Sequence, residues 1–172
     1  MTIYHFTWES FEWDHIISEN LNSNKHFLNE SDCYGLYYIT GSHFLYGQNT
    51  LLYLGKSQDQ RFGYRLSQHS DFDFTNVPRI NKLYIGKLLN RDDGNSKSWG
   101  EAINLSEKLF INSLLPAMNS QNIKGILDNE IYGEIVICNW NDIGFLLPEI
   151  SGYRFSGKYW DEQKYPENPL TE

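Results

Sequence analysis

Cysteine is scarce in this chain of 172 residues, with Cys33 and Cys138 the only two. Two thiols cannot build a disulfide framework, and without Cys-x-x-Cys spacing they do not resemble a zinc site. They read as buried, reduced thiols of a cytoplasmic protein. No apolar run approaches the roughly eighteen residues a membrane span needs, so no membrane partner is expected. The first residues, Met1-Thr2-Ile3-Tyr4-His5, carry neither a basic region nor a hydrophobic stretch, and no secretory signal is expected there. Internal repeats and low-complexity tracts are missing as well, which sets aside solenoids and arrays.

Basic charge is in short supply. Fourteen Lys and Arg face twenty-two Asp and Glu, for a net charge of −8. That weighs against nucleic acid as a partner, because backbone binding is largely neutralisation of phosphates by Lys and Arg. The distribution is uneven, however. Residues 1–32 hold six acids and one base, and residues 98–172 hold eleven acids and five bases. Residues 33–55 have none of either, whereas residues 56–97 hold eight bases and five acids. The basic residues of that one net-positive stretch include Lys56, Arg61, Arg65, Arg79, Lys82 and Lys87. They form either a solvated basic face or a phosphate-binding one.

Aromatic residues are abundant, at 16%, and help to fill the core of a single domain. Trp8, Phe11, His15 and Ile16 stand near helical spacing and predict an acidic amphipathic helix over residues 8–19, with a polar linker after it. Tyr34–Thr40 and Thr50–Lys56 are β-branched and aromatic runs joined by a Gly-containing loop, which predicts an antiparallel hairpin. A helix is expected over residues 58–70 and a strand over Arg79–Leu89. Ser98-Trp99-Gly100-Glu101 has the form of a capping box, so a further helix should begin there. It would turn Ala102, Leu105, Leu109 and Phe110 inward and stop before Pro116. Tyr132–Cys138 reads as a strand and Asn139–Asp142 as a turn.

Within this pattern stand Gly35-Leu36-Tyr37 and Tyr53-Leu54-Gly55, then Arg65-Leu-Ser-Gln-His69, then Glu107 and, twelve residues on, Asn119 just after Pro116. Taken in order, residues 34–119 resemble the GIY-YIG nuclease family, with Leu36 in place of isoleucine in the first motif. Arg65 follows Gly55 by ten residues and Arg61 by six, one on each side of the family's usual spacing. Arg65 is preferred as the catalytic arginine because His69 lies one helical turn later, a pairing similar to that of the family's restriction-endonuclease branch.

The resemblance implies an α+β fold, a small central, mainly antiparallel sheet flanked by helices. Residues 33–125 would be the catalytic core, residues 1–32 an acidic helical extension, and residues 126–172 an aromatic extension packed on the core. It implies a metal-dependent endonuclease that hydrolyses DNA phosphodiester bonds, leaving a 5′-phosphate and a 3′-hydroxyl, in a restriction or phage-defence role. Such hydrolysis requires an activated water and stabilisation of charge on the phosphoryl oxygens. Tyr37 would be the general base if a nearby cation lowers its pKa, with Lys56 or a metal-bound hydroxide assisting, and Tyr53 would position the water or a phosphate oxygen. Arg65 would offer its planar guanidinium to the phosphate, with Arg61 and Lys56 as further contacts. His69 would orient the nucleophile or relay a proton. Glu107 would hold one Mg²⁺ or Mn²⁺. Asn119 would contact substrate or, through backbone hydrogen bonds, fix the glutamate helix against its loop.

Each residue also has a plainer reading: strand tyrosines in a β-rich core, surface cations, a structural histidine, a solvated helix glutamate and a turn asparagine. Two other functions therefore stand beside the first. One is a non-cleaving module of the same fold that binds nucleic acid or protein, and the other is a nuclease acting on RNA or single strands. A homodimer or a protein partner could use the terminal extensions.

Overall fold

Alternation of period two governs the first residues of the chain. In Thr2-Ile3-Tyr4-His5-Phe6-Thr7-Trp8 the aromatics Tyr4, Phe6 and Trp8 are fully buried, while the residues between them are only partly so. That pattern belongs to a strand with one face in the core. The computed structural model describes residues 1–13, 35–58, 60–68, 80–89, 99–123 and 127–156. Strand β1 runs over Thr2–Glu12, β2 over Gly35–His43, β3 over Gly47–Ser57, β4 over Ile80–Leu88, β5 over Ile135–Asn141 and β6 over Glu149–Ser151. The helices are α1 (Phe62–Gln68), α2 (Trp99–Leu114) and two single turns, α3 (Asn129–Tyr132) and α4 (Gly152–Phe155).

The six strands form one sheet in the order β3-β2-β4-β1-β5-β6. Every neighbouring pair is antiparallel except β1 and β5, which are parallel. The fold is α+β, as expected, but the sheet is larger and mixed rather than small and antiparallel. The reason is β1: residues 8–12 of the expected N-terminal helix are strand, because burial of Tyr4, Phe6 and Trp8 on one face outweighs the helical spacing of Trp8 and Phe11. Lying between β4 and β5, β1 ties the hairpin half of the sheet to the C-terminal half, so strands come from all three stretches of the sequence. Asn139–Asn141, expected as a turn, continues β5 instead, where Phe6, Thr7 and Trp8 supply its register partners.

Side-chain alternation divides the apolar residues between the two faces of the sheet. On one face Tyr4, Phe6, Trp8, Leu36, Tyr38, Leu54 and Tyr84 pack with Ala102, Leu105, Leu109 and Phe110 of α2. Phe110 meets Phe6 and Trp8 edge-on at ring distances of 6.0 and 5.9 Å, a favoured aromatic geometry. The Trp8 indole lies across Gly86, where a Cβ would come within 2.6 Å of it. Its N–H donates to Asn139 Oδ1 at 2.9 Å, which satisfies the single polar atom of a wholly buried ring. On the other face Tyr37, Ile39, Leu83 and Ile85 pack with Phe62 and Leu66 of α1. Of the remaining local expectations, the hairpin is β2–β3, the Arg79–Leu89 strand is β4, and the capping-box helix is α2, ending two residues before Pro116, whereas the helix expected over residues 58–70 is α1 and begins only at Phe62, and the strand expected over Tyr132–Cys138 begins at Ile135 because Tyr132 ends α3. Ser98 lies outside the described residues. Among the described residues no helix is long and apolar enough to cross a membrane.

Candidate active site

The β2–β3 register sets Tyr37 directly opposite Gly55 and Ile39 opposite Tyr53. A Cβ on Gly55 would lie 2.7 Å from the Tyr37 hydroxyl oxygen, 2.8 Å from its Cζ and 2.9 Å from Tyr53 Cε1. Glycine is therefore required in Tyr53-Leu54-Gly55 for steric reasons: its missing side chain is the space in which the Tyr37 phenol lies. The Tyr37 and Tyr53 rings are 6.1 Å apart, and Phe62 closes the other side of Tyr37 edge-on at 6.4 Å.

Arg65, on α1, donates a hydrogen bond to the Tyr37 oxygen, and Tyr37 in turn donates to Tyr53. Burial raises the pKa of Tyr37 far above the ordinary phenol range. Nearby Tyr53 adds to the rise, the Arg65 guanidinium opposes it, and Glu107 adds a smaller upward push. Tyr53 is also raised, first by burial, with Arg65 opposing and Glu107 reinforcing. The lowering expected for a general base is thus reversed, because desolvation of a fully buried ring outweighs one guanidinium. Both phenols are neutral near pH 7, and Tyr37 stands as a hydrogen-bond relay between Arg65 and Tyr53.

Glu107 reaches the same cluster from α2. Its Oε2 is 3.2 Å from Lys56 Nζ, in a pair whose side chains are only 15% and 29% exposed, respectively. Lys56 Nζ also donates to Asn104 Oδ1 at 2.5 Å. Asn104 and Glu107 are one helical turn apart, so a single face of α2 presents two acceptors to the residue that follows Gly55. Asn104 was not anticipated, although its three-residue spacing from Glu107 was visible in the sequence. Phe62 was likewise missed, since nothing local marks it as the wall against Tyr37.

Asn119 is bonded to the backbone of β3. The Leu54 N–H donates to its Oδ1 at 2.9 Å, and its Nδ2 donates to the Leu54 carbonyl at 2.8 Å. The amide thus copies a neighbouring strand beside the middle residue of the second motif. Ala117 and Met118 donate to the carbonyls of Leu51 and Leu52 at 3.1 and 2.8 Å. Leu115, held at φ 49°, reverses the chain after α2 so that this segment can run along β3. Arg61 is exposed, and its carbonyl accepts from the Arg65 N–H at 3.0 Å. His69 lies outside the described residues.

Among the described residues no three His, Cys, Asp or Glu side chains group to hold a metal. The donors at hand, one carboxylate and two phenols, suit a hard ion that keeps most of its waters and takes further oxygens from a phosphate. They do not make a preformed cage, and Lys56 is the present partner of the carboxylate.

No family model, no curated protein and no solved structure matches the chain.

Proposed function

We propose that this protein is a GIY-YIG-type endonuclease that hydrolyses phosphodiester bonds in DNA with Mg²⁺ or Mn²⁺. What supports the reading is proximity: the Tyr37 and Tyr53 rings lie 6.1 Å apart, Arg65 bonds to the Tyr37 oxygen, and Glu107 pairs at 3.2 Å with Lys56, the residue next to the Gly55 that stands opposite Tyr37, although these residues come from two strands and two helices. A structural role for a strand tyrosine would need neither the arginine nor the glutamate.

In the proposed reaction Arg65 gives its fork of N–H donors to the scissile phosphate, and Lys56 adds a second positive charge. Glu107, once Lys56 turned from it to the phosphate, would be the residue to hold the divalent ion. The ion supplies Lewis-acid charge to the phosphoryl oxygens. Tyr53 receives the Tyr37 hydrogen bond and directs its own hydroxyl toward the phosphate or the attacking water. For Tyr37 to take the proton of that water it would first have to pass its own proton through Tyr53 to solvent, which requires more positive charge than Arg65 alone provides. Asn119 positions β3 and takes no part in the chemistry.

The test is incubation of the purified protein with supercoiled plasmid, linear duplex and single-stranded DNA in Mg²⁺, Mn²⁺ or EDTA, beside Glu107→Ala and Arg65→Ala. Metal-dependent cutting that both substitutions abolish supports the reading. Cutting that survives Glu107→Ala refutes the site, and folded protein that cuts none of these DNAs refutes the activity. The Lys56–Glu107 pair and the neutral, buried Tyr37 favour one competing reading, a module of this fold that binds nucleic acid without cleaving it. That reading expects oligonucleotide binding with no strand scission in any metal.

A further inference from the structure

Two indoles are left half in water at one rim of the sheet. Trp140, in β5, is 51% exposed, and Trp99, at the start of α2, is 45% exposed. With His5, Leu88 and Leu89 they line a cleft of about 600 Å³ where β4 ends. Trp140 Nε1 donates to His5 Nδ1 at 3.1 Å, and the two rings lie 6.0 Å apart and tilted by 31°. This hydrogen bond uses the one polar atom of the indole and fixes the ring, leaving apolar surface toward the cleft. Large exposed aromatics gathered around a concavity mark a binding site more often than scattered ones do.

Register relates the cleft to the candidate active site. Gly35 pairs with Lys87, Lys87 with Thr7, and Thr7 with Trp140, so the four make one cross-strand row. Residues two apart on a strand share a face, and Tyr37 is two residues from Gly35. Lys87 therefore lies on the sheet face of Tyr37, between it and Trp140. Three strand spacings and two residue rises place Trp140 roughly 16 Å from Tyr37, a few nucleotides of chain. At the other side of the cleft, Gln58 lies against Gly100 beside Trp99, two residues from Lys56.

We propose that this cleft binds an unpaired nucleobase, stacked on Trp140 and Trp99, with an adjoining phosphate at Lys87. The inference rests on the nuclease reading above and names its substrate class: nucleic acid with a single-stranded segment beside the bond that is cut. A net charge of −8 makes phosphate attraction a weak source of affinity, and stacking supplies affinity without charge. The cation in the row complements a phosphate, which an uncharged proline-rich peptide, the other natural occupant of an aromatic cleft, would not use.

The test titrates the full chain in EDTA with labelled oligothymidine, and in parallel with a blunt duplex and a proline-rich peptide, reading label anisotropy and tryptophan emission. Oligothymidine should quench the emission and bind more tightly than the duplex. Trp140→Leu and Trp99→Leu should each weaken it roughly 5- to 150-fold, the range for loss of one base stack. Trp140→Phe, which keeps an aromatic face, should retain most of the affinity, and circular dichroism should show each variant folded. Oligothymidine affinity that ignores both leucine substitutions overturns the proposal, as does a response to the peptide alone. Because EDTA silences cleavage, the titration reads stacking whether or not the protein cuts. Stacking without cleavage in the metal assay refutes only the nuclease reading, and cleavage without tryptophan-dependent binding refutes only this one.

Discussion

Replacing Gly55 by alanine adds one methyl group where three atoms of two tyrosines already lie within 3 Å of the new carbon. The Tyr37 ring cannot retreat, being fully buried with Phe62 edge-on against it. Tyr53 is partly exposed and can give way, so the strain falls on the Tyr37–Tyr53 hydrogen bond. Overpacking of this kind costs about 1–3 kcal/mol, which for a chain of this size is a fall in melting temperature of roughly 2–12 °C. If the site cleaves DNA, displacing a reacting group by about 1 Å should also slow cleavage by roughly 100-fold. Gly47→Ala is the matched control: it too is a hairpin glycine, with φ of +85° but nothing within 4 Å of the new carbon. It should cost about 1–2 kcal/mol through backbone strain alone and leave cleavage intact. Thermal unfolding and plasmid cleavage of the two variants side by side decide the matter. A Gly55→Ala protein that melts and cuts like the parent would show that the two tyrosines are not packed into the space over this glycine.

Asn119→Ala removes both partners of the Leu54 backbone and should destabilise the fold by about 1–3 kcal/mol; hydrogen exchange should speed up at the Leu54 amide and leave the β1–β4 amides unchanged. The phenols of Tyr37, Tyr38 and Tyr53 are all raised by burial, so the folded state holds their protons more tightly than the unfolded chain does. The stability this gives is complete below the unfolded value of about 10 and is lost as pH climbs above it. Tyrosinate absorbance and circular dichroism should therefore change together in strong alkali, and ionisation of all tyrosines before any loss of structure would contradict the burial. A double-mutant cycle of Lys56→Met and Glu107→Gln, followed by urea unfolding, should return a coupling of roughly 1 kcal/mol; strict additivity would mean the pair contributes nothing.

Local pattern made most of the hairpin half legible. Alternating residues mark β2, β3 and β4, and Ser98 through Pro116 brackets α2 well. What local pattern cannot carry is partnership between distant strands: nothing near Thr2 or Ile135 announces that β1 and β5 will lie parallel. The misreading of residues 8–12 had a remedy in the sequence, since Tyr4, Phe6 and Trp8 alternate before the helical spacing begins. In the site, Tyr37, Tyr53, Arg65 and Glu107 could be picked out as types in an order. Their protonation could not, because it depends on how much water Phe62 and the sheet exclude from Tyr37. The role of Asn119 was half visible as a fixing residue, but its target, both backbone groups of Leu54, is a matter of three-dimensional register.

The strand-like course of Ala117–Asn119 along β3 bears on how copies of this protein meet. An outer strand with unpaired amides and carbonyls is a template for another chain and a route to aggregation. Here the carbonyls of Leu51 and Leu52 and both backbone groups of Leu54 are already taken, the last by a side-chain amide that cannot pass the pairing on. At the far side, β6 offers only three residues. The middle of the β3 edge, from Leu51 to Leu54, is thus closed to a further strand. The hairpin tip, where Phe44, Leu45 and Tyr46 stand exposed, offers a second copy apolar surface that this part of the edge does not.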